Sequence, residues 1–297
     1  MSAVEAIRTE APARQLFADY LSLTKPSIVG LLVATALASM VAASHGRPHL
    51  LAMLAVIVGG SLAAGGAHAI NCWYDRDIDF MMSRTRRRPI PDGRIPPWHA
   101  LALGIAFNVL AFAVLWAWAN LLAAGLALLA TVIYVFVYTI WLKRSTPQNI
   151  VIGGAAGAIP PLVGWAAVTG GLDLTAISLF LVIFLWTPPH FWSLAQLIAR
   201  DYRQAGIPMM PVVHSSRSTK RQSVGYALAT VAVSLVPYFT GDAGTLYLVG
   251  AVALGVGLVG VSVLDLRGRR WTGPLFAYSI AYLAALFTVL AIAGLFA

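Results

Sequence analysis

The sequence predicts an all-α polytopic membrane protein with nine transmembrane helices surrounding a central cavity open to the cytoplasmic side. Three observations carry that prediction. First, the 297 residues are 59% hydrophobic and 10% charged, with a mean hydropathy of +0.80, whereas a soluble domain carries about 25% charged residues. Second, apolar stretches of roughly twenty residues recur along the chain, the length a helix needs to cross a bilayer. Third, lysine and arginine fall almost entirely between alternate pairs of those stretches.

Residues 1–25 form a polar leader with Arg8, Arg14 and Lys25 set against Glu5, Glu10 and Asp19. The leader lacks the apolar core of a signal peptide, and its acids argue against a transit peptide. It reads as a cytoplasmic N-terminal segment, and residues 26–297 as one membrane domain. Nine apolar spans follow, at about 26–44, 49–71, 98–118, 121–141, 148–169, 174–197, 222–240, 244–264 and 274–296. Ala119-Asn120 leaves only a tight turn between the third and fourth spans. Pro160-Pro161 interrupts the fifth, which a membrane helix tolerates where its neighbours satisfy the freed backbone groups.

With the N-terminus inside, nineteen of the twenty Lys and Arg residues fall on the inner side and only Arg47 falls outside. That asymmetry is the positive-inside pattern. It puts the N-terminus in the cytoplasm and the C-terminus in the periplasm of a bacterial inner membrane, with lipid around the spans. The net charge of +9 therefore belongs to topology and anionic headgroups, and no nucleic-acid partner is implied. Cys72 is the sole cysteine, which excludes an intrachain disulfide and a thiolate metal cluster. Two inner loops are long, 72–97 and 198–221, and long ordered loops are where function concentrates.

The first of them begins NCWYDRDIDFMMSRTRRRPIPDGR, residues 71–94, with four acids and six arginines. Asn71, Asp75 and Asp79 are spaced i, i+4, i+8. On a helix each such step drifts only about 40°, so the three form one stripe about 12 Å long. Two carboxylates and an amide suit Mg²⁺ bound to a phosphate, because waters and phosphate oxygens complete its octahedron. Arg84 is grouped with the stripe as catalytic. Arg76, Arg87, Arg88 and, from the inner end of the fourth span, Lys143 are candidate diphosphate contacts. Arginine grips phosphate bidentately, and this loop holds arginine without lysine. Asp77 points off the stripe and is expected to pair with Arg76 or Arg84. The bland alternative is a positive-inside loop whose acids offset its arginines. That alternative accounts for single arginines but not for three oxygen donors on one face at a helix exit.

The second charged stretch, which runs into the second loop, is FLWTPPHFWSLAQLIARDYRQAGIPMMPVV, residues 184–213. His190 lies about halfway along the sixth span, after Pro188-Pro189 and near Trp186, Phe191 and Trp192. Asp201, Tyr202 and Arg203 mark its inner end. If the sixth helix faces the second, Asp201 joins Asn71, Asp75 and Asp79 as a metal ligand of a two-centre site.

The stripe after the second of nine helices resembles the UbiA-type intramembrane prenyltransferase superfamily. Four stretches are similar to its haem-farnesylating branch: LTKPSIV (23–29), NCWYDRDIDFMMSRTRRRPIP (71–91), WTPPHFWSLA (186–195) and DYRQAGIPMMPVV (201–213). Quinone-branch members carry a second Asp-x₃-Asp in the later loop, whereas this chain has Asp201 and then Ala205. The resemblance implies Mg²⁺-dependent transfer of the farnesyl group of farnesyl diphosphate to the 2-vinyl group of haem b, giving haem O. A haem A synthase is an implied candidate partner. His190 becomes a candidate for orienting haem, as an iron ligand or a propionate contact, with Trp192 beside it. His68, one turn before Asn71, is a further candidate haem contact. For both histidines, packing inside the bundle is the alternative. The competing functions are a prenyltransferase with another aromatic acceptor, a transporter or channel, and a structural assembly factor. The one-sided charge argues against a conduction path, and an assembly factor leaves the stripe without a purpose.

Overall fold

In the computed structural model, residues 13–296 are described, so Glu5, Arg8 and Glu10 of the leader lie outside the described residues. The leader's second half is a helix, α1 (Ala13–Leu23). It is amphipathic: Leu16, Phe17 and Leu21 are exposed, while Asp19 is buried. Arg94 Nε donates to Asp19 Oδ2 at 2.9 Å, and the Tyr20 hydroxyl meets His99 Nδ1, so α1 is tied to the first charged loop. An apolar face beside a polar one suits a helix lying in a membrane interface.

The chain then turns at Lys25 (φ 52, ψ 63) into α2 (Pro26–Ala43). Next come α3 (Leu50–Tyr74), the short α4 (Arg76–Met81), α5 (Pro97–Trp118), α6 (Leu121–Ser145) and α7 (Asn149–Thr169). The remainder comprises α8 (Leu174–Leu197), the short α9 (Ala199–Gln204) and α10 (Met210–Val213), then α11 (Ser216–Phe239), α12 (Thr245–Arg267) and α13 (Arg269–Gly294). Among the described residues, nine helices are long and apolar enough to cross a membrane: α2, α3, α5, α6, α7, α8, α11, α12 and α13. No strand occurs among them.

Some ends differ from expectation. The second span continues to Tyr74, the seventh starts at Ser216 and the ninth at Arg269. Polar residues prolong these helices past the hydrophobic run, because backbone hydrogen bonding does not stop where hydropathy does. The turn between α5 and α6 is as tight as expected. Asn120 caps α6 by accepting from Ala123 N at 2.9 Å, and its amide donates to the Ala166 carbonyl. α7 is interrupted at Ile159, before Pro160. In contrast, α8 runs through Pro188 and Pro189 without a break.

Helices adjacent in sequence pack side by side, and α13 closes the circuit against α2. Inside it, α2 packs on α7 and α8 on α13, forming two apolar clusters that share α2 and α7. Small residues permit this, since membrane helices associate by close packing. A Cβ on Gly164 would lie 2.0 Å from the Ala36 carbonyl oxygen. Ser39 Oγ donates to the Pro161 carbonyl at 2.7 Å beside that contact. These contacts hold α2 and α7 backbone to backbone at this point. On the other side of α3, Gly66 and Gly104 leave its backbone in close contact with α5.

Candidate active site

α3 ends at Tyr74 and α4 starts at Arg76, with Asp75 as the junction (φ −83, ψ 8). The helix carrying the stripe is therefore two helices bent at its middle member. The i→i+4 ladder survives the bend: Asp75 N donates to Asn71 O at 2.9 Å, and Asp79 N to Asp75 O at 2.8 Å. Asn71, Asp75 and Asp79 are 4%, 1% and 3% exposed. They face the interior together.

Each of the three meets a basic side chain. Lys25 Nζ donates to Asn71 Oδ1 at 3.1 Å, Lys143 Nζ to Asp75 Oδ2, and Arg88 Nη1 to Asp79 Oδ2 at 2.7 Å. The Asn71 amide nitrogen donates to Asp75 Oδ2 at 2.6 Å and to Thr139 Oγ1 at 3.1 Å. Asp75 Oδ1 is buried without a hydrogen-bond partner, with Arg144 Nη2 3.6 Å away. Burial lowers the Lys25 ammonium to about 8, and the charges of Arg88 and Lys143 act in the same direction.

Thr139 and Lys143 reach the stripe because residues Ile133–Leu142 of α6 are π-helical. The Thr139 hydroxyl donates to the Tyr134 carbonyl at 2.8 Å, and Lys143 N bonds Tyr138 O, both spanning five residues. Such segments concentrate at functional sites.

Asp77 is exposed and pairs with Arg144, not with Arg76 or Arg84 as expected. Arg144 Nη1 and Nη2 each lie 2.8 Å from one of its carboxylate oxygens. The fork-to-carboxylate match holds Asp77 below the usual carboxylate range. Arg76 instead turns back, donating to the Trp73 carbonyl at 2.7 Å and lying over the Trp73 ring. Trp73, Tyr74, Arg76, Asp77 and Arg144 line a cleft of about 310 Å³ at this end of the bundle.

Arg84 and Arg87 are exposed. The Arg84 charge opposes the burial that raises the Tyr202 phenol. Arg87 contributes a carbonyl that accepts from Arg94 at 3.3 Å. The two long loops meet. Ser83 Oγ donates to Asp201 Oδ2 at 2.6 Å, and Tyr202 packs with Ile78 and Met82. Arg203 is exposed.

His68 Nδ1 lies 3.1 Å from the Tyr134 hydroxyl. His190 sits away from the stripe's hydrogen bonds, stacked between Trp186 and Phe276, with Nδ1 2.8 Å from Ser279 Oγ. Trp192 is fully buried against Tyr226, and its indole N–H has no partner. Lys25, Thr139, Arg144 and Ser83 are the site neighbours that sequence reasoning left unassigned. Lys25 alone carried a signal, a charge directly before a helix-starting proline.

The profile of the UbiA prenyltransferase family matches residues 32–283. The chain belongs to that family. Among its UbiA relatives are proteins called protoheme IX farnesyltransferase from Roseiflexus sp. (strain RS-1), Symbiobacterium thermophilum and Gloeobacter violaceus. They are 52%, 50% and 52% identical over 93%, 94% and 94% of this chain. The chain spans about half (52%) of the Roseiflexus protein's length, but 95% and 92% of the other two. Among solved structures, a digeranylgeranylglyceryl phosphate synthase superposes with a TM-score of 0.79 at 16% identity, over 95% of this chain and 99% of that one. A UbiA homologue from Archaeoglobus fulgidus bound to DMAPP and Mg²⁺ superposes with a TM-score of 0.67 at 17% identity, over 92% and 99%. These likenesses give the fold.

The UbiA stripe has the donors for one divalent ion sharing its shell with a ligand. Among the described residues, no three His, Cys, Asp or Glu side chains gather into an all-protein metal cage. Two carboxylates and an amide, one carboxylate oxygen being unpartnered, form the partial set that Mg²⁺ takes when phosphate and water supply the rest.

Proposed function

We propose that this protein transfers the farnesyl group of farnesyl diphosphate to the 2-vinyl group of haem b, forming haem O and releasing diphosphate. The observation that carries the acceptor is the identity of about half the residues to proteins called protoheme IX farnesyltransferase. The buried stripe and its basic neighbours support the diphosphate half of the reaction. Nineteen Lys and Arg residues on one side support placing that site at the cytoplasmic face of a bacterial inner membrane, with the N-terminus inside and the C-terminus outside.

Asn71, Asp75 and Asp79 would hold Mg²⁺, which would supply charge neutralisation to the diphosphate; Asp201, expected to join them, instead accepts from Ser83 and stands apart from the stripe, so no metal is routed through it. Lys143, Arg88 and Arg84 would stabilise the departing group by their positive charge, and Arg76 and Arg87 would be outer contacts. The bond between farnesyl C1 and the diphosphate oxygen breaks, and its electron pair leaves with diphosphate. The vinyl π pair forms the new carbon–carbon bond to C1. Water adds to the resulting porphyrin-stabilised cation and loses a proton. Positive groups arranged before the charge develops are the large term in such catalysis. The close α2–α7 packing at Gly164 and Ala36 would help keep water from the allylic cation until the new bond has formed. His190 and His68 are the candidate haem contacts, and Trp192, being fully buried, would act by packing. Association with a haem A synthase is proposed only as the fate of the product.

Membranes containing the protein, given haem b, farnesyl diphosphate and Mg²⁺, should yield haem heavier by a farnesyl group and one hydroxyl group on mass analysis of the extract. Prenylation of another aromatic acceptor with no farnesylated haem would overturn the haem assignment.

A further inference from the structure

The three members of the stripe are held by three cations from three separate parts of the chain. Lys25 comes from the turn before α2, Lys143 from α6, and Arg88 from the loop after α4. Lys25 is held under strain: it is a non-glycine residue at φ 52 directly before a proline. L-residues avoid that region, and such strain gathers at functional sites. A lysine serving topology alone snorkels toward water, whereas this one turns inward to an amide oxygen.

The oxygens these cations occupy are those a divalent ion would take. The cations, once displaced, match the oxygens of a diphosphate. Metal alone would strand three cations in a buried site. Diphosphate alone would strand two carboxylates beside its own charge. We propose that Mg²⁺ and diphosphate bind by partner exchange. Lys25, Lys143 and Arg88 leave Asn71, Asp75 and Asp79 for the diphosphate as the metal arrives, which makes Lys25 a diphosphate-binding residue and each ligand tight only with the other. This rests on the diphosphate reading of the site.

Binding coupled in this way is reciprocal, with factors of roughly 5–150 in typical systems. The test uses the full chain in lipid nanodiscs, inorganic pyrophosphate, and Mn²⁺ as a paramagnetic stand-in for Mg²⁺, with free concentrations corrected for the complex the two form in solution. In the wild type, Mn²⁺ affinity measured by EPR should rise about tenfold or more with pyrophosphate. Lys25→Met should strengthen Mn²⁺ binding without pyrophosphate and weaken pyrophosphate binding at saturating Mn²⁺, and Lys25→Arg should restore the second. A lysine acting only in folding would move both affinities the same way, and that result overturns the proposal. So does a wild type whose Mn²⁺ affinity ignores pyrophosphate, a measurement that needs no variant. Failure of pyrophosphate and farnesyl diphosphate to bind at any metal concentration would overturn the diphosphate reading itself, and the exchange with it.

Discussion

Asp75 and Asp77 are two residues apart and stand in opposite surroundings. Asp75 is buried among Asn71, Lys143 and Arg144, whereas Asp77 is an exposed carboxylate on the Arg144 fork. Asp75→Asn should lower turnover by about 10²–10³-fold, the scale of losing one preorganised charge contact, while the protein still inserts into membranes. Asp77→Asn removes a surface pair of about 0–1 kcal/mol, and turnover should stay within about threefold. Equal losses in a farnesylation assay would undo the assignment of the interior to Asp75. Thr139→Val deprives the Asn71 amide of one acceptor. It should weaken pyrophosphate-supported Mn²⁺ binding roughly fivefold, the value of one hydrogen bond of about 1 kcal/mol, and Thr139→Ser should recover it. The stripe was legible because helical periodicity puts i, i+4 and i+8 on one face, even across the bend at Asp75. Lys25 was not, since its bond to Asn71 spans 46 residues and needs a backbone conformation that lysine rarely adopts.

The π-helical stretch of α6 decides where Thr139 and Lys143 point. Its sequence, IYVFVYTIWL, is apolar on every side, so no periodicity separates a π from an α helix there. Deleting Val137 would favour an α-helix and turn the two flanks against each other by about 100°. Turnover should then be lost while thermal unfolding in detergent stays cooperative. A shortened protein that still turns over within a few-fold of the full chain would rule out this positioning role. Gly164 acts at the same scale. Gly164→Ala forces a methyl group onto the Ala36 carbonyl and should cost about 1–3 kcal/mol of stability, read as a lower unfolding temperature. Hydropathy located α7 but not this contact, which depends on which two helices meet.

At the scale of the whole molecule, the nine spans among the described residues were legible because bilayer thickness fixes their length and basic loops fix their alternation. Pairings between distant helices were not. The buried Lys220 ammonium donates to the Asp265 carboxylate at 2.8 Å, and Thr272 adds a further bond at 2.6 Å, joining α11, α12 and the start of α13. Lys220 lies in the inner loop 198–221 and Asp265 just past the eighth apolar stretch, 45 residues apart, so the sequence carries no sign of their pairing. Lys220→Met or Asp265→Leu alone strands a buried charge and should cost about 3–5 kcal/mol, whereas the double variant should regain most of it, as thermal unfolding of the three proteins would show. The closure of α13 on α2 sets Gly294 against the backbone of Ala42. At translation rates of about 5–20 residues per second, roughly 10–50 s pass between synthesis of those two residues. The first span thus enters the bilayer long before its final neighbour exists, and the ring can seal only after the segment around Gly294 has been synthesised.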